Sequence, residues 1–153
     1  KRQLEQDLSY IEIGKSEGAS LFWGGERVAR ETEGNFLTPA LFIDTHNNMR
    51  INQEEIFGPI ASVIKVKNYD EALNIANDTE FGLSAGIVTN SLKHATHFKR
   101  HSQSGIAQVN LPTAGVDYHV PFGGTKSSSY GAREQGQYAK EFYTTVKTSY
   151  TAS

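Results

Sequence analysis

The sequence contains no cysteine. Disulfides, cysteine-ligated zinc and a cysteine nucleophile are therefore excluded from within this chain, and the usage fits a cytoplasmic protein. Long apolar runs are also missing: none approaches the roughly 18 residues that a membrane-spanning helix requires. Nor is there a surplus of positive charge. Lys and Arg number 15 against 17 Asp and Glu, a formal net charge of −2, and the cations are scattered, so no nucleic-acid partner is expected. Methionine occurs only at Met49, and the chain opens on Lys1-Arg2-Gln3-Leu4-Glu5-Gln6. With no apolar stretch behind the two basic residues, this opening is not read as a signal peptide. It reads as the interior of a helix, and the chain is expected to be cut from something longer.

What is present suits a globular domain. The 153 residues are 37% hydrophobic and 21% charged, enough to build one compact domain with a core. Leu4, Leu8, Ile11 and Ile13 mark an amphipathic helix that Gly14 or Gly18 would close. Ser20 to Trp23 is a short apolar run stopped by Gly24-Gly25. A charged loop from Glu26 to Gly34 leads to a second run, Phe36 to Ile43, which Pro39 should break or confine to an edge. Met49 to Glu55 predicts a short helix ended by Gly58-Pro59.

An alternation follows. Ile60 to Val66, Ser84 to Thr89 and Ile106 to Asn110 read as strands buried on both faces. Between them lie a helix opened by Asn68 and Glu71, with Ala72, Leu73, Ile75 and Ala76 inward, and a helix capped by Asn90 or Ser91. Strand, helix, strand, helix, strand predicts an α/β fold, a mostly parallel sheet with flanking helices. Beyond Asn110 the chain is loop-like as far as Gly131. A last helix is expected from about Arg133 to Phe142, and the Thr-, Val- and Tyr-rich tail from Tyr143 reads as a strand needing a partner.

Four features invite a functional reading. Gly123-Gly124-Thr125-Lys126-Ser127 suggests a phosphate-binding loop, but Thr125 stands where that pattern requires Gly directly before Lys-Ser. Two glycines here fit better with backbone turning close to something else. His94, His97 and His101 share an arc of one helix, and His97 and His101 have a chelating i, i+4 spacing. The first and last are separated by roughly 10 Å of helix rise. With Leu92, Ala95 and Phe98 taken as the buried side and no carboxylate on the histidine arc, it reads as solvated and no metal site is expected. Glu54 and Glu55 precede Ile56-Phe57-Gly58-Pro59, where a carboxylate is either a solvated helix end or an acceptor for ligand hydroxyls such as a dinucleotide's ribose. Glu134, placed in a first helical turn, is either dipole-stabilised or, if half-buried and coupled to another base, part of a proton shuttle.

As a set, several segments resemble the aldehyde dehydrogenase superfamily. They are Gln53 to Pro59, Ala76-Asn77-Asp78-Thr79-Glu80-Phe81-Gly82-Leu83-Ser84, Gly105 to Asn110, Pro121-Phe122-Gly123-Gly124-Thr125-Lys126 and Tyr143-Thr144-Thr145-Val146-Lys147. Their order and spacing are similar to that family's C-terminal third. Asn110 to Pro121 and Ser128 to Gly136 look like the branch that oxidises 2-oxoglutarate semialdehyde (2,5-dioxopentanoate).

The resemblance implies residues 1–142 as the C-terminal portion of a catalytic α/β domain and 143–153 as an oligomerisation strand, in a homodimer or homotetramer. It implies NAD or NADP as cofactor, an aldehyde as substrate, and a Cys nucleophile and Glu base in an upstream part of the same enzyme. Glu55 would hold the nicotinamide-side ribose, Phe57 would lie beside the nicotinamide, Phe122 near the substrate tunnel, and Glu134 would support proton relay. The loop from Leu111 to Val120 would line the pocket mouth, with Thr113, Tyr118 and His119 as its polar residues. Thr145 departs from the Glu many relatives carry at the subunit contact. The alternative reading is a catalytically inert module that dimerises through its terminal strand.

Overall fold

A computed structural model describes residues 1–153. The chain divides into two compact units, Lys1–Asn68 and Tyr69–Ser153.

In the first unit, α1 (Arg2–Ser16) buries Leu4 and Ile11. Gly14 lies inside this helix, and its bare Cα lets the Phe42 ring approach closely. Gly18, at φ +93°, follows the helix end instead. Strand β1 (Ser20–Trp23) stops at Gly24 and Gly25, both at positive φ. The loop expected from Glu26 to Gly34 contains a short strand, β2 (Arg27–Val28), which pairs antiparallel with β3 (Phe36–Leu37). Pro39 separates β3 from β4 (Ala40–Thr45), as a residue lacking N–H should. The short helix α2 (Arg50–Gln53) leads to β5 (Ile60–Ile64). β4 is central, antiparallel to β1 and parallel to β5. Ile11, Ala40, Phe42, Met49, Ile51 and Ile56 form the core.

In the second unit, α3 (Tyr69–Asn77), β6 (Ser84–Ile87), α4 (Leu92–His101) and β7 (Ile106–Val109) follow in order. β6 and β7 pair parallel, Ser84 opposite Ile106 through Ile87 opposite Val109. The Ser91 hydroxyl caps α4 by accepting from the His94 N–H at 3.3 Å. Leu73 and Phe98 are the buried apolar anchors of the two helices.

The α/β class stands, with both parallel pairs joined through helices. The sheet differs from the expectation: β5 and β6 belong to different sheets. Nor are β5 and β6 buried on both faces. Their exposure alternates along the strand, and Val63 is 49% exposed. Sheets of two and three strands leave every strand but β4 an edge, so few positions are enclosed on all sides. No helix is long and apolar enough to cross a membrane.

The last helix is also shorter than expected. A 3-10 turn spans Gly136–Tyr138, and α5 covers Ala139–Tyr143. Residues 144–153 carry no ladder within the single chain and are exposed.

Candidate functional site

The loop from Glu54 to Pro59 is gripped by one face of α1. The Nε2 groups of Gln3 and Gln6 both donate to the Ile56 carbonyl, at 3.2 and 2.9 Å. Gln3 also donates to Asp7 at 2.7 Å, and the buried Asp7 carboxylate lies so near Gly58 that a Cβ there would collide with it. Tyr10 donates to Glu54 Oε2 at 2.7 Å, while Arg50 donates to both Glu54 oxygens at 2.8 and 3.0 Å. The Arg50 and then the Tyr10 hydrogen bonds hold the Glu54 carboxyl at a pKa of about 2.

Gln3, Gln6, Asp7 and Tyr10 stand at i, i+3, i+4 and i+7 of one helix. The i, i+3, i+4, i+7 spacing of these polar residues is the sequence signal for the stripe.

This clamp separates two adjacent acids. Glu54 is fully engaged, whereas Glu55 is exposed and no hydrogen bond or ion pair engages it. Phe57 is 80% exposed and held at φ +59°, a left-handed conformation unusual for a bulky residue. The arrangement presents a free carboxylate and an unpacked ring two residues apart on a rigid loop.

In the second unit, Phe122 and Glu134 are brought together. The Phe122 N–H donates to the Glu134 carbonyl at 2.7 Å and the Glu134 N–H to the Phe122 carbonyl at 2.8 Å, an isolated antiparallel bridge. Glu134 is therefore extended, not in a helical first turn, and the dipole argument for it fails. Gln135 at φ +67° breaks any helix from Arg133. Both Phe122 and Glu134 are half-buried, and the Glu134 carboxylate has no hydrogen-bonded or ionic partner.

The glycines of the intervening loop mark close backbone approach. A Cβ on Gly105 would strike the Gly123 carbonyl. Arg133 Nη1 donates to the Gly124 carbonyl. Lys126 Nζ donates to the carbonyls of Asn77 and Thr79 at 2.6 and 2.8 Å, so its ammonium serves the end of α3.

The 111–120 loop lines a cavity of about 550 Å³ with β7. Leu111, Val116 and Asp117 contribute to it, but Thr113, Tyr118 and His119 do not. Tyr118 is 86% exposed, and its ring meets His119 edge-on.

The histidine arc is less solvated than expected. His94 stacks on Tyr69 with centroids 4.3 Å apart, the Tyr69 hydroxyl lies 2.9 Å from His97 Nδ1, and His97 stacks on His101. Leu92, expected inward, is 82% exposed. No three potential ligands converge on a metal-holding position.

The family model described as "Aldehyde dehydrogenase family" matches residues 1–149. The chain belongs to the aldehyde dehydrogenase family. Among curated members, it is 48% identical over 150 residues to alpha-ketoglutaric semialdehyde dehydrogenase of Bacillus subtilis, covering 97% of this chain and 31% of that protein. It is 47% identical over 152 residues to alpha-ketoglutarate semialdehyde dehydrogenase of Haloferax volcanii, with the same coverage of 97% and 31%. Among solved aldehyde dehydrogenases, indole-3-acetaldehyde dehydrogenase AldA of P. syringae, in complex with NAD+ and IAA, superposes with a TM-score of 0.90 at 40% identity. That match covers 96% of this chain and 29% of the AldA chain. This member of the family thus spans about a third of the length of the relatives it matches.

Proposed function

We propose that this chain is the C-terminal part of an NAD(P)-dependent aldehyde dehydrogenase that oxidises 2-oxoglutarate semialdehyde to the dicarboxylate. The observation that carries the reading is the contrast at the Glu54–Pro59 loop. Glu54 is consumed by Tyr10 and Arg50, while Glu55 and the Phe57 ring are left free beside it. A free carboxylate accepts hydrogen bonds from ribose hydroxyls, and an exposed ring offers a flat face or edge to a nicotinamide. The NAD+ bound in two solved relatives supports the assignment, as do the names of the semialdehyde-oxidising relatives.

The bound cofactor supplies the hydride acceptor. No cysteine is present here, so the thiolate that attacks the aldehyde comes from outside this chain, and in this reading the Glu that activates water does too. This chain's own residues act around that chemistry. Glu55 and Phe57 orient the cofactor. Phe122 provides an apolar wall for the aldehyde. Glu134, half-buried with no partner, takes and returns a proton from the general base. The exposed 143–153 segment, with Val146 97% and Tyr150 96% exposed, completes a sheet across a subunit interface in a homodimer or homotetramer.

The test uses the full-length protein with 2-oxoglutarate semialdehyde and NAD+ or NADP+. Reduced nicotinamide should appear at a rate saturable in aldehyde. No formation above blank with this or any other aldehyde would overturn the proposal.

A further inference from the structure

We infer that Lys126 is a positioning residue for the Phe122–Glu134 pair, an inference that rests on the function proposed above. Lys126 sits at φ +52°, a left-handed conformation that costs an ordinary side chain energy. A strained residue persists where the surrounding bonds over-determine it, and here those bonds are visible. The ammonium donates to the Asn77 and Thr79 carbonyls at 2.6 and 2.8 Å, at the C-terminal end of α3 where partial negative charge gathers.

The receiving platform is rigid. Asn77 Nδ2 donates to the His101 carbonyl at 2.9 Å, and its Oδ1 accepts from the Gln103 N–H at 2.8 Å, which locks the ends of α3 and α4 together.

Neighbouring bonds hold the same loop to the same platform. The Thr125 N–H donates to the Gly82 carbonyl and the Ser127 N–H to the Glu80 carbonyl, both at 2.9 Å. The Gly82 N–H donates to the Ser128 hydroxyl at 2.9 Å. The 122–134 segment is therefore closed at its base by the Phe122–Glu134 bridge and pinned at its far side by Lys126. Lys126 supplies the one cationic anchor among these ties to 77–82. Without it, the strained turn is held by the Thr125, Ser127 and Ser128 bonds alone, and a shift there passes to the bridge through the short Gly123–Thr125 span.

The experiment compares Lys126→Met, Lys126→Gln and Lys126→Arg in the full-length protein. Lys126→Met should raise the KM for aldehyde and lower kcat, reducing kcat/KM about tenfold or more, the scale of a sub-ångström to ångström misplacement. Cofactor affinity should be unchanged. Lys126→Arg should restore most of the loss. Lys126→Gln, which keeps an NH2 donor group without the charge, should fall between, and it carries the test if the Met variant does not fold. Unchanged aldehyde kinetics in Met and Gln variants would overturn the inference, as would equal loss of aldehyde and cofactor affinity in step with thermal stability. Phe122→Ala and Glu134→Gln serve as the reference. If they too leave aldehyde turnover unaltered, the roles proposed for Phe122 and Glu134 fail and the positioning role with them; if they impair it and the Lys126 variants do not, only the positioning role fails.

Discussion

Phe122 and Glu134 face each other across a single antiparallel bridge that exchanges both backbone hydrogen bonds. Residues directly opposite in such a pair put their side chains on the same side, with Cβ atoms roughly 5 Å apart. An aromatic ring and an unpartnered carboxylate are thereby held as one unit. Replacing Glu134 by Gln in the full-length protein keeps the shape and the backbone bridge but removes the proton acceptor. We expect kcat to fall by roughly 10²-fold, the lower range for general acid–base assistance, with cofactor binding retained. Pre-steady-state kinetics would place the loss in the water-dependent step. A normal rate for that step would exclude the relay.

Much of the architecture was legible from the sequence because its signals are local. Ser91 before an amphipathic run, Pro39 within an apolar stretch and Gly24-Gly25 after one each act on the backbone beside them. The partnering of β5 and β6 was not legible, since strand order depends on contacts far apart in sequence. Motif resemblance nominates Glu55, Phe57, Phe122 and Glu134 as candidates, but composition and spacing alone could not tell Glu54 from Glu55. That distinction is made by Tyr10, 44 positions away from Glu54. Glu134 was misread locally because an acid before a helix looks the same in sequence whether it begins the helix or precedes it. The left-handed Gln135 decides the matter.

The two neighbouring acids should separate cleanly by experiment. Glu55→Gln should weaken productive cofactor placement by roughly tenfold, the loss of a charged hydrogen-bond acceptor, with the thermal midpoint unmoved because Glu55 is exposed and no hydrogen bond or ion pair engages it. Glu54→Gln should do the reverse, lowering the midpoint and sparing cofactor kinetics. Titration calorimetry with NAD+ and thermal unfolding measure the two effects. Interchanged phenotypes would mean that the roles are assigned to the wrong acid.

The Glu54 carboxyl also predicts a pH dependence. Its folded pKa is about 2 against an ordinary value of 4.5, with the Arg50 and Tyr10 hydrogen bonds as the leading causes. A depressed folded pKa means that the native state binds fewer protons than the unfolded chain between those values. Its contribution to stability is complete above pH 4.5 and is lost as pH falls toward 2. Both partners reach Glu54 at an exposed edge, so the contribution is modest and screened by salt. Carboxyl chemical shifts followed through an acid titration should show Glu54 ionised well below the other glutamates. Tyr10→Phe should move that midpoint upward. A Glu54 midpoint near 4.5 in the unsubstituted protein would show that the clamp is not formed in solution.

Gly105 offers a test of the backbone packing that underlies the Phe122–Glu134 unit. Its N–H donates to the Gly82 carbonyl at 2.9 Å, and the Gly123 carbonyl and Gly124 Cα occupy the space a side chain would need. The obstruction is main chain, which cannot rotate away as a flexible side chain can. Gly105→Ala must therefore push the Gly123–Gly124 turn outward or shift the start of β7. Overpacking of this kind costs about 1–3 kcal/mol, read as a lower denaturant midpoint at an unchanged slope. Because Gly123 adjoins Phe122, aldehyde turnover should fall even under conditions in which the variant is fully folded. By contrast, Gly115→Ala, where nothing lies within 4 Å of the added carbon, carries only the backbone penalty of φ +82°. A larger loss of stability and turnover at Gly115 than at Gly105 would contradict the packing described for this turn.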